Sequence, residues 1–207
     1  MKKIQHVWFD FSDTLAFITD AHRTLLYQSF ADAVGEPVSP AVIEKFKELH
    51  KKYNSHSAVF TVGLGLLPGY WADCVQSADP ATLYTLADPH LPQVLEQLHS
   101  LVPVSIFSNM RMETLLPAIG LKKEWFTQCL SGSEFKNPKP ALDGFYKMIE
   151  LSNLPPEHIL FIGDSVQKEI LPAKKVGMMT GIVWSTAPEA DFSFCNFEEI
   201  LVAIQKN

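Results

Sequence analysis

The sequence predicts an α/β fold: a parallel sheet covered by helices on both faces, with a helical insertion after the first strand. Three observations carry this reading. Short apolar runs bounded by turn residues recur along the chain, as buried parallel strands do. Amphipathic helical patterns alternate with the later runs, the signature of a sheet with helices packed on its faces. About ninety residues separate the first run from the second, too many for a single crossover.

The expected core strands are residues 4–10, 102–107 ("VPVSIF"), 127–131, 158–163 ("HILFIG") and 180–184 ("TGIVW"). "LPQVLEQLHSL" sets Leu91, Val94, Leu95, Leu98 and Leu101 at helical spacing, so a helix precedes the second strand. A helix is expected over 111–118, and Ser108 and Asn109 before it are either its N-terminal capping pair or functional residues at the strand end. "ALDGFYKMIELS" and "QKEILPAKKVG" follow. In the second, Pro172 should kink the helix or sit in its first turn, and Gly177 should close it. "NFEEILVAIQ" is the last helix, with Asn196 as its N-cap. Residues 16–88 read as the inserted subdomain, with helical patterns at 17–34, 40–53 and 70–77 around an apolar, glycine-containing piece. Residues 1–15 and 89–207 then form the core domain.

At 207 residues the chain can bury a substantial core, and 47% hydrophobic with 19% charged residues is ordinary globular composition. A net charge of −6 argues against a nucleic-acid partner. Any anionic ligand must therefore find its positive potential locally. Cys74, Cys129 and Cys195 have no metal-ligand spacing and read as free thiols in a reducing compartment. "MKKIQHVWFDF" turns acidic too early for a secretory leader, and no apolar run approaches the ~20 residues that cross a bilayer. A cytoplasmic location without a membrane partner is the expectation.

In an open parallel sheet, ligands bind beyond the carboxyl ends of the strands. Asp10 follows the first expected strand. Ser108 and Asn109 follow the second. Asp164 and Glu169 follow the fourth, and Lys136 and Lys139 stand before the helix that precedes it. These residue types make a coherent set. Asp10 can act as a nucleophile that takes up a phosphoryl group. Asp10, a backbone carbonyl and Asp164 supply the oxygen ligands that Mg²⁺ prefers. Ser108 can donate to a phosphoryl oxygen, and a lysine can neutralise charge as nucleophile and phosphate approach.

The order and spacing of "FDFSDTL", "IFSN", "KPALDGF" and "FIGDSVQKE" resemble the haloacid dehalogenase superfamily, whose members are mostly phosphatases. The resemblance covers essentially the whole chain, and the insertion after the first motif is similar to the family's helical cap at that position. It implies a Rossmann-like core with strand order 3-2-1-4-5 and a Mg²⁺ cofactor. It further implies a small phosphorylated substrate, cleaved through an aspartyl-phosphate on Asp10 by a monomer or homodimer. It also implies that Asp10, Asp164, Glu169 and the carbonyl of Ser12 hold the metal. Ser108 and the amide of Asn109 would bind the phosphoryl oxygens. Lys139, the lysine followed by proline, is preferred to Lys136.

One position departs from the family pattern. Ser12 stands where the family has a second Asp that protonates the leaving oxygen and later activates water. A serine hydroxyl is neither acidic nor basic enough for that work. Asp13 is the expected replacement, on condition that its turn rotates the carboxylate toward Asp10. The same departure keeps two alternatives open: a dehalogenase or phosphonatase on this fold, and a silent binding protein. His22, His50, His56, His90, His99 and His158 have no ligand spacing and read as surface or packing residues. Phe60, Tyr70 and Trp71 read as core of the insertion.

Overall fold

The computed structural model describes residues 3–206. Its strands are β1 His6–Phe9, β2 Ala16–Ile18, β3 Tyr84–Leu86, β4 Val104–Ser108, β5 Gln128–Ser131, β6 Ile159–Gly163, β7 Met179–Val183 and β8 Phe192–Phe194. Six of them form a parallel sheet in the order β5-β4-β1-β6-β7-β8. The five expected core strands are all present and take the order 3-2-1-4-5. The sixth, β8, was not expected from the sequence. It is held at the sheet edge by Asp191, whose Oδ2 accepts from both the amide and the hydroxyl of Thr180 on β7, each at 2.9 Å.

β1 is central because all four of its residues are apolar enough, or paired well enough, to be buried on both faces. Val7 and Phe9 face one helical layer, which includes Leu91, Leu95, Phe197 and Ile200. Trp8 points the other way, into a cluster with Phe107, Phe145, Met148 and Phe161. His6 is the polar exception: its Nε2 bonds the Ser105 hydroxyl at 2.8 Å on the adjacent strand. Burial of such side chains contributes about 1.5–3 kcal/mol each.

The helices follow their local signals. Asn196 caps Phe197–Gln205 by accepting from the Glu199 amide at 3.0 Å. Pro172 lies in the first turn of Leu171–Lys175, directly after the wide turn Val166–Ile170, and Gly177 follows with φ 86°. The helix expected over 111–118 is only Leu115–Ala118 and starts after Thr114, so Ser108 and Asn109 do not cap it. Pro117 and the chain reversal at Gly120 confine it to one turn.

The stretch between β1 and the helix Leu91–Leu101 contains the helices Asp20–Val34, Pro40–Tyr53 and Tyr70–Gln76. Thr19 and Ser39 cap the first two. Their apolar faces meet in an aromatic cluster in which Phe60 stacks on Trp71 at 5.6 Å and Phe30 meets Phe46 edge-on at 5.3 Å. The two ends of this stretch pair as an antiparallel ribbon, with Ala16 opposite Leu86 and Ile18 opposite Tyr84. No helix among the described residues is long and apolar enough to cross a membrane.

Candidate functional site

Sheet register brings the strand ends together. Phe9 pairs with Ile106 of β4 and with Ile162 of β6, so Asp10 stands level with Phe107 and Gly163. One step further along come Ser108 and Asp164. The Asp10 amide donates to the Ile162 carbonyl at 2.9 Å, which holds this residue in line although the strand has ended.

Asp10 is 2% exposed, and its Oδ1 accepts from Lys139 Nζ at 2.5 Å. Lys139 also donates to the Phe107 carbonyl at 3.0 Å and to Glu169 Oε1 at 3.2 Å. Its ammonium passes between the rings of Phe107 and Phe161, 5.0 and 5.6 Å from their centroids. Lys136, by contrast, is exposed. Burial works to raise the Asp10 pKa, but Lys139 and then Lys168 outweigh it and hold the carboxyl down, at about 2. Asp10 is therefore ionised across the physiological range.

Glu169 is fully buried, and its Oε2 accepts from the Ser165 amide at 3.0 Å. Burial first, and the Asp10 carboxylate second, push its pKa up, to about 8, against both lysines. The close seat of this carboxylate explains Gly163: a Cβ there would stand 2.3 Å from Glu169 Oε2. Asn109 does a different job from the one anticipated for its side chain. Its Oδ1 accepts the Lys139 amide at 3.0 Å and its Nδ2 donates to Ser55 Oγ at 3.0 Å. It thus ties the lysine loop to the insertion. Ser108 lines the cleft, with its Oγ accepting from the Met110 amide at 3.1 Å.

Asp13 adopts φ 62°, a left-handed conformation that aspartate tolerates better than most residues. Its amide donates to the Ala16 carbonyl at 2.7 Å, and its carbonyl accepts from Trp184 Nε1 at 3.0 Å. The turn carries both Ser12 and Asp13 into the lining of the cleft that holds Asp10. Burial first, and then the Asp164 carboxylate, raise the Asp13 pKa; Lys168 and the Ile18 amide oppose the shift.

Two groups of cleft residues were not anticipated. Lys168 Nζ lies 3.2 Å from Glu169 Oε1, 3.6 Å from Asp10 Oδ2 and 3.7 Å from Asp164 Oδ1. The wide turn Val166–Ile170 carries it there, and nothing in the local residue pattern announces that turn. The second group adds to the reading of the histidines as packing residues. His22, His50 and His56 line the cleft opposite Asp10, together with Trp71 and Tyr84, and enclose about 250 Å³ with the strand-end residues. The rings of His50 and His56 are 4.9 Å apart, and His22 meets Trp71 edge-on at 5.4 Å. Burial lowers the His22 pKa to about 4 and that of His56 well below its usual value, so both are neutral at pH 7. His22 Nδ1 is buried without a hydrogen-bond partner. The three come from separate segments, so spacing held no signal for them.

The carboxylates suit a hard dication. Oxygens of Asp10, Asp164 and Glu169 lie within 4.8 Å of one another. Asp10 Oδ2 and Asp164 Oδ1 are buried without hydrogen-bond partners, which is how ligand atoms awaiting a cation are left. Desolvation, then Asp10 against the pull of Lys168, raises the Asp164 pKa. A bound cation would reverse that cost.

Comparison with known proteins agrees with this fold. A phosphatase of the haloacid dehalogenase type from Thermococcus onnurineus superposes with a TM-score of 0.71 at 19% identity, over 97% of this chain and 98% of that one. A predicted phosphoglycolate phosphatase from Haemophilus somnus gives 0.66 at 19% identity, over 98% and 99%. A 2-haloacid dehalogenase from Pseudomonas syringae pv. Tomato gives 0.66 at 18%, again over 98% and 99%. At these identities the likeness is one of fold. No curated protein sequence matches the chain. The family profile described as haloacid dehalogenase-like hydrolase matches residues 4–177, and with the strand-end carboxylates and lysine in that stretch, the chain belongs to the haloacid dehalogenase-like hydrolases.

Proposed function

We propose that the chain is a Mg²⁺-dependent phosphoric monoester hydrolase acting on a small substrate. In this reading, residues 16–88 are a cap subdomain that selects the substrate and residues 1–15 with 89–207 are the catalytic core. The observation that carries it is the pair of buried carboxylate oxygens without hydrogen bonds, Asp10 Oδ2 and Asp164 Oδ1, in one cleft with the Ser108 hydroxyl. Halide displacement needs no dication, whereas phosphoryl transfer uses one to offset the charge of the phosphate, and two carboxylate oxygens without hydrogen bonds suit such an ion.

Asp10, kept ionised by Lys139, attacks phosphorus; a carboxylate P–O bond forms as the ester P–O bond breaks. Ser108 Oγ–H and the Asn109 amide donate to the phosphoryl oxygens, and Lys139 spreads its charge over Asp10 and Glu169. Asp13, with its raised pKa, gives a proton to the leaving alkoxide and later takes one from the water that cleaves the aspartyl-phosphate. Asp10, Asp164, Glu169 and the Ser12 carbonyl would hold Mg²⁺, which when bound polarises the phosphoryl group and offsets its charge.

The test is hydrolysis of a phosphate-ester panel with and without Mg²⁺, in the wild-type chain and in Asp10→Asn. Loss of turnover in a folded variant is the expected outcome; unchanged turnover sinks the mechanism. Ser12 itself favours a second reading, a carbon–halogen hydrolase. There Asp10 would displace halide from carbon, a step that needs no acid. Halide release from 2-chloropropionate without Mg²⁺, and no action on phosphate esters, would select it.

A further inference from the structure

The cation side of the acidic cluster already faces a positive charge. Asp10, Asp164 and Glu169 bring three carboxyl groups to one place, and Lys139 contacts Asp10 and Glu169 but leaves Asp164 without that cation. Lys168 changes the balance. Its ammonium stands 3.6 and 3.7 Å from Asp10 Oδ2 and Asp164 Oδ1, the two oxygens that have no hydrogen bond. Those distances are ion pairing without hydrogen bonding, so Lys168 faces these atoms without satisfying them.

The backbone is built to send it there. In the turn Val166–Ile170 the Ile170 amide reaches back five residues to the Ser165 carbonyl at 3.2 Å. Ser165 Oγ accepts from the Lys168 amide at 3.2 Å. The extra residue in the turn lets Lys168 and its neighbour Glu169 both point at Asp10, which two consecutive residues of a regular helix would not do. The Lys168 side chain is 19% exposed and borders the open cleft, so it has somewhere to go.

We propose that Lys168 is a tethered cation of the metal-binding cluster: it balances Asp10 and Asp164 while no metal is bound, and a dication binds only as the ammonium withdraws into the cleft. The inference rests on the reading of the cluster as a cation site. It has a second consequence. A phosphate group in the cleft gives the withdrawn ammonium a new partner, so anion and dication strengthen each other's binding by the same factor.

The experiment is calorimetric titration with Mg²⁺, with and without inorganic phosphate, of the wild-type chain, Lys168→Met and Lys168→Arg. Lys168→Met should bind Mg²⁺ tighter by on the order of tenfold or more, because a dication no longer meets a like charge nearby. Lys168→Arg should stay as weak as the wild type, and phosphate should tighten Mg²⁺ binding more in the wild type than in Lys168→Met. In EDTA, Lys168→Met should melt below the wild type, and Mg²⁺ should close the gap. Equal Mg²⁺ affinity in wild type and Lys168→Met overturns the inference. Should Lys168→Met fail to fold, the wild type still decides: the Lys168 side-chain NMR signal must move on Mg²⁺ saturation, and an unmoved signal overturns the inference. These readouts are binding and stability. A chain that hydrolyses no phosphate ester would therefore sink the proposed function and leave them standing.

Discussion

Lys139→Met is the substitution that most directly weighs the charge arrangement. Lys139 is 1% exposed and its ammonium contacts Asp10 at 2.5 Å and Glu169 at 3.2 Å. Methionine keeps the length and apolar stem that lie between Phe107 and Phe161, so the change removes the charge with little loss of packing. At an effective dielectric of ~20 the Asp10 contact is worth roughly 7 kcal/mol of Coulomb attraction before desolvation is subtracted, and the Glu169 contact less, because burial keeps that carboxyl largely protonated near pH 7. Much of that is offset by the cost of burying the lysine itself, and Lys168 continues to shield the acids. The net loss expected on breaking a buried pair is then about 3–5 kcal/mol. For a chain of this size that corresponds to a melting point lower by roughly 6–20 °C. Because Lys139 is the largest influence lowering the Asp10 pKa, the carboxyl should also rise in the variant. Thermal and urea denaturation in EDTA measure the stability, with Lys136→Met as control. That lysine is exposed and its loss should stay within about 0.5 kcal/mol. A Lys139→Met chain within about 1 kcal/mol of the wild type, or an equal effect at Lys136, rules out a stabilising buried ion pair at Lys139.

Two further outcomes are expected. Asp13→Asn retains a residue that tolerates φ 62° and should leave stability unchanged, while kcat on a phosphate ester falls by roughly 10²–10⁴; an unchanged kcat removes Asp13 from acid–base work. His22 has a folded-state pKa of about 4 against 6.5 unfolded, so between those values the unfolded chain binds more protons and stability rises with pH. Its contribution, roughly 3 kcal/mol, is present above pH 6.5 and is lost as pH falls toward 4. His22→Leu should flatten that part of the stability curve, and parallel curves for the two proteins would count against a buried neutral imidazole.

Much of the core was legible because its signals are local. Val7, Trp8 and Phe9 form an apolar run that only a strand buried on both faces accommodates, and the residue after such a run lands at the carboxyl edge of the sheet. The sequence alone therefore places Asp10, Ser108 and Asp164 together at the strand ends. The family resemblance, through the proline after Lys139 and the aromatic Phe145, gave the preference for that lysine. The ribbon of β2 and β3 and the edge strand β8 were not legible. Each has three residues, too few for alternation to register, and each is held by partners distant in the chain, Asp191 on Thr180 among them.

What the sequence determined by itself was the order of strands and helices, the insertion after the first strand, and the chemical kinds of residue at each strand end. These depend on periodicity within a few turns and on the rule that parallel strands end on one side. What only the tertiary structure decided was which side chains face the nucleophile across the cleft. His22, His50 and His56 meet there because three helical segments pack on one aromatic cluster, and Lys168 meets Asp10 because one turn carries an extra residue. Asp13 turns toward the cleft because its backbone takes a left-handed conformation, tied down by Ala16 and Trp184. Distances between side chains from separate segments follow from packing, and packing is a property of the folded chain as a whole.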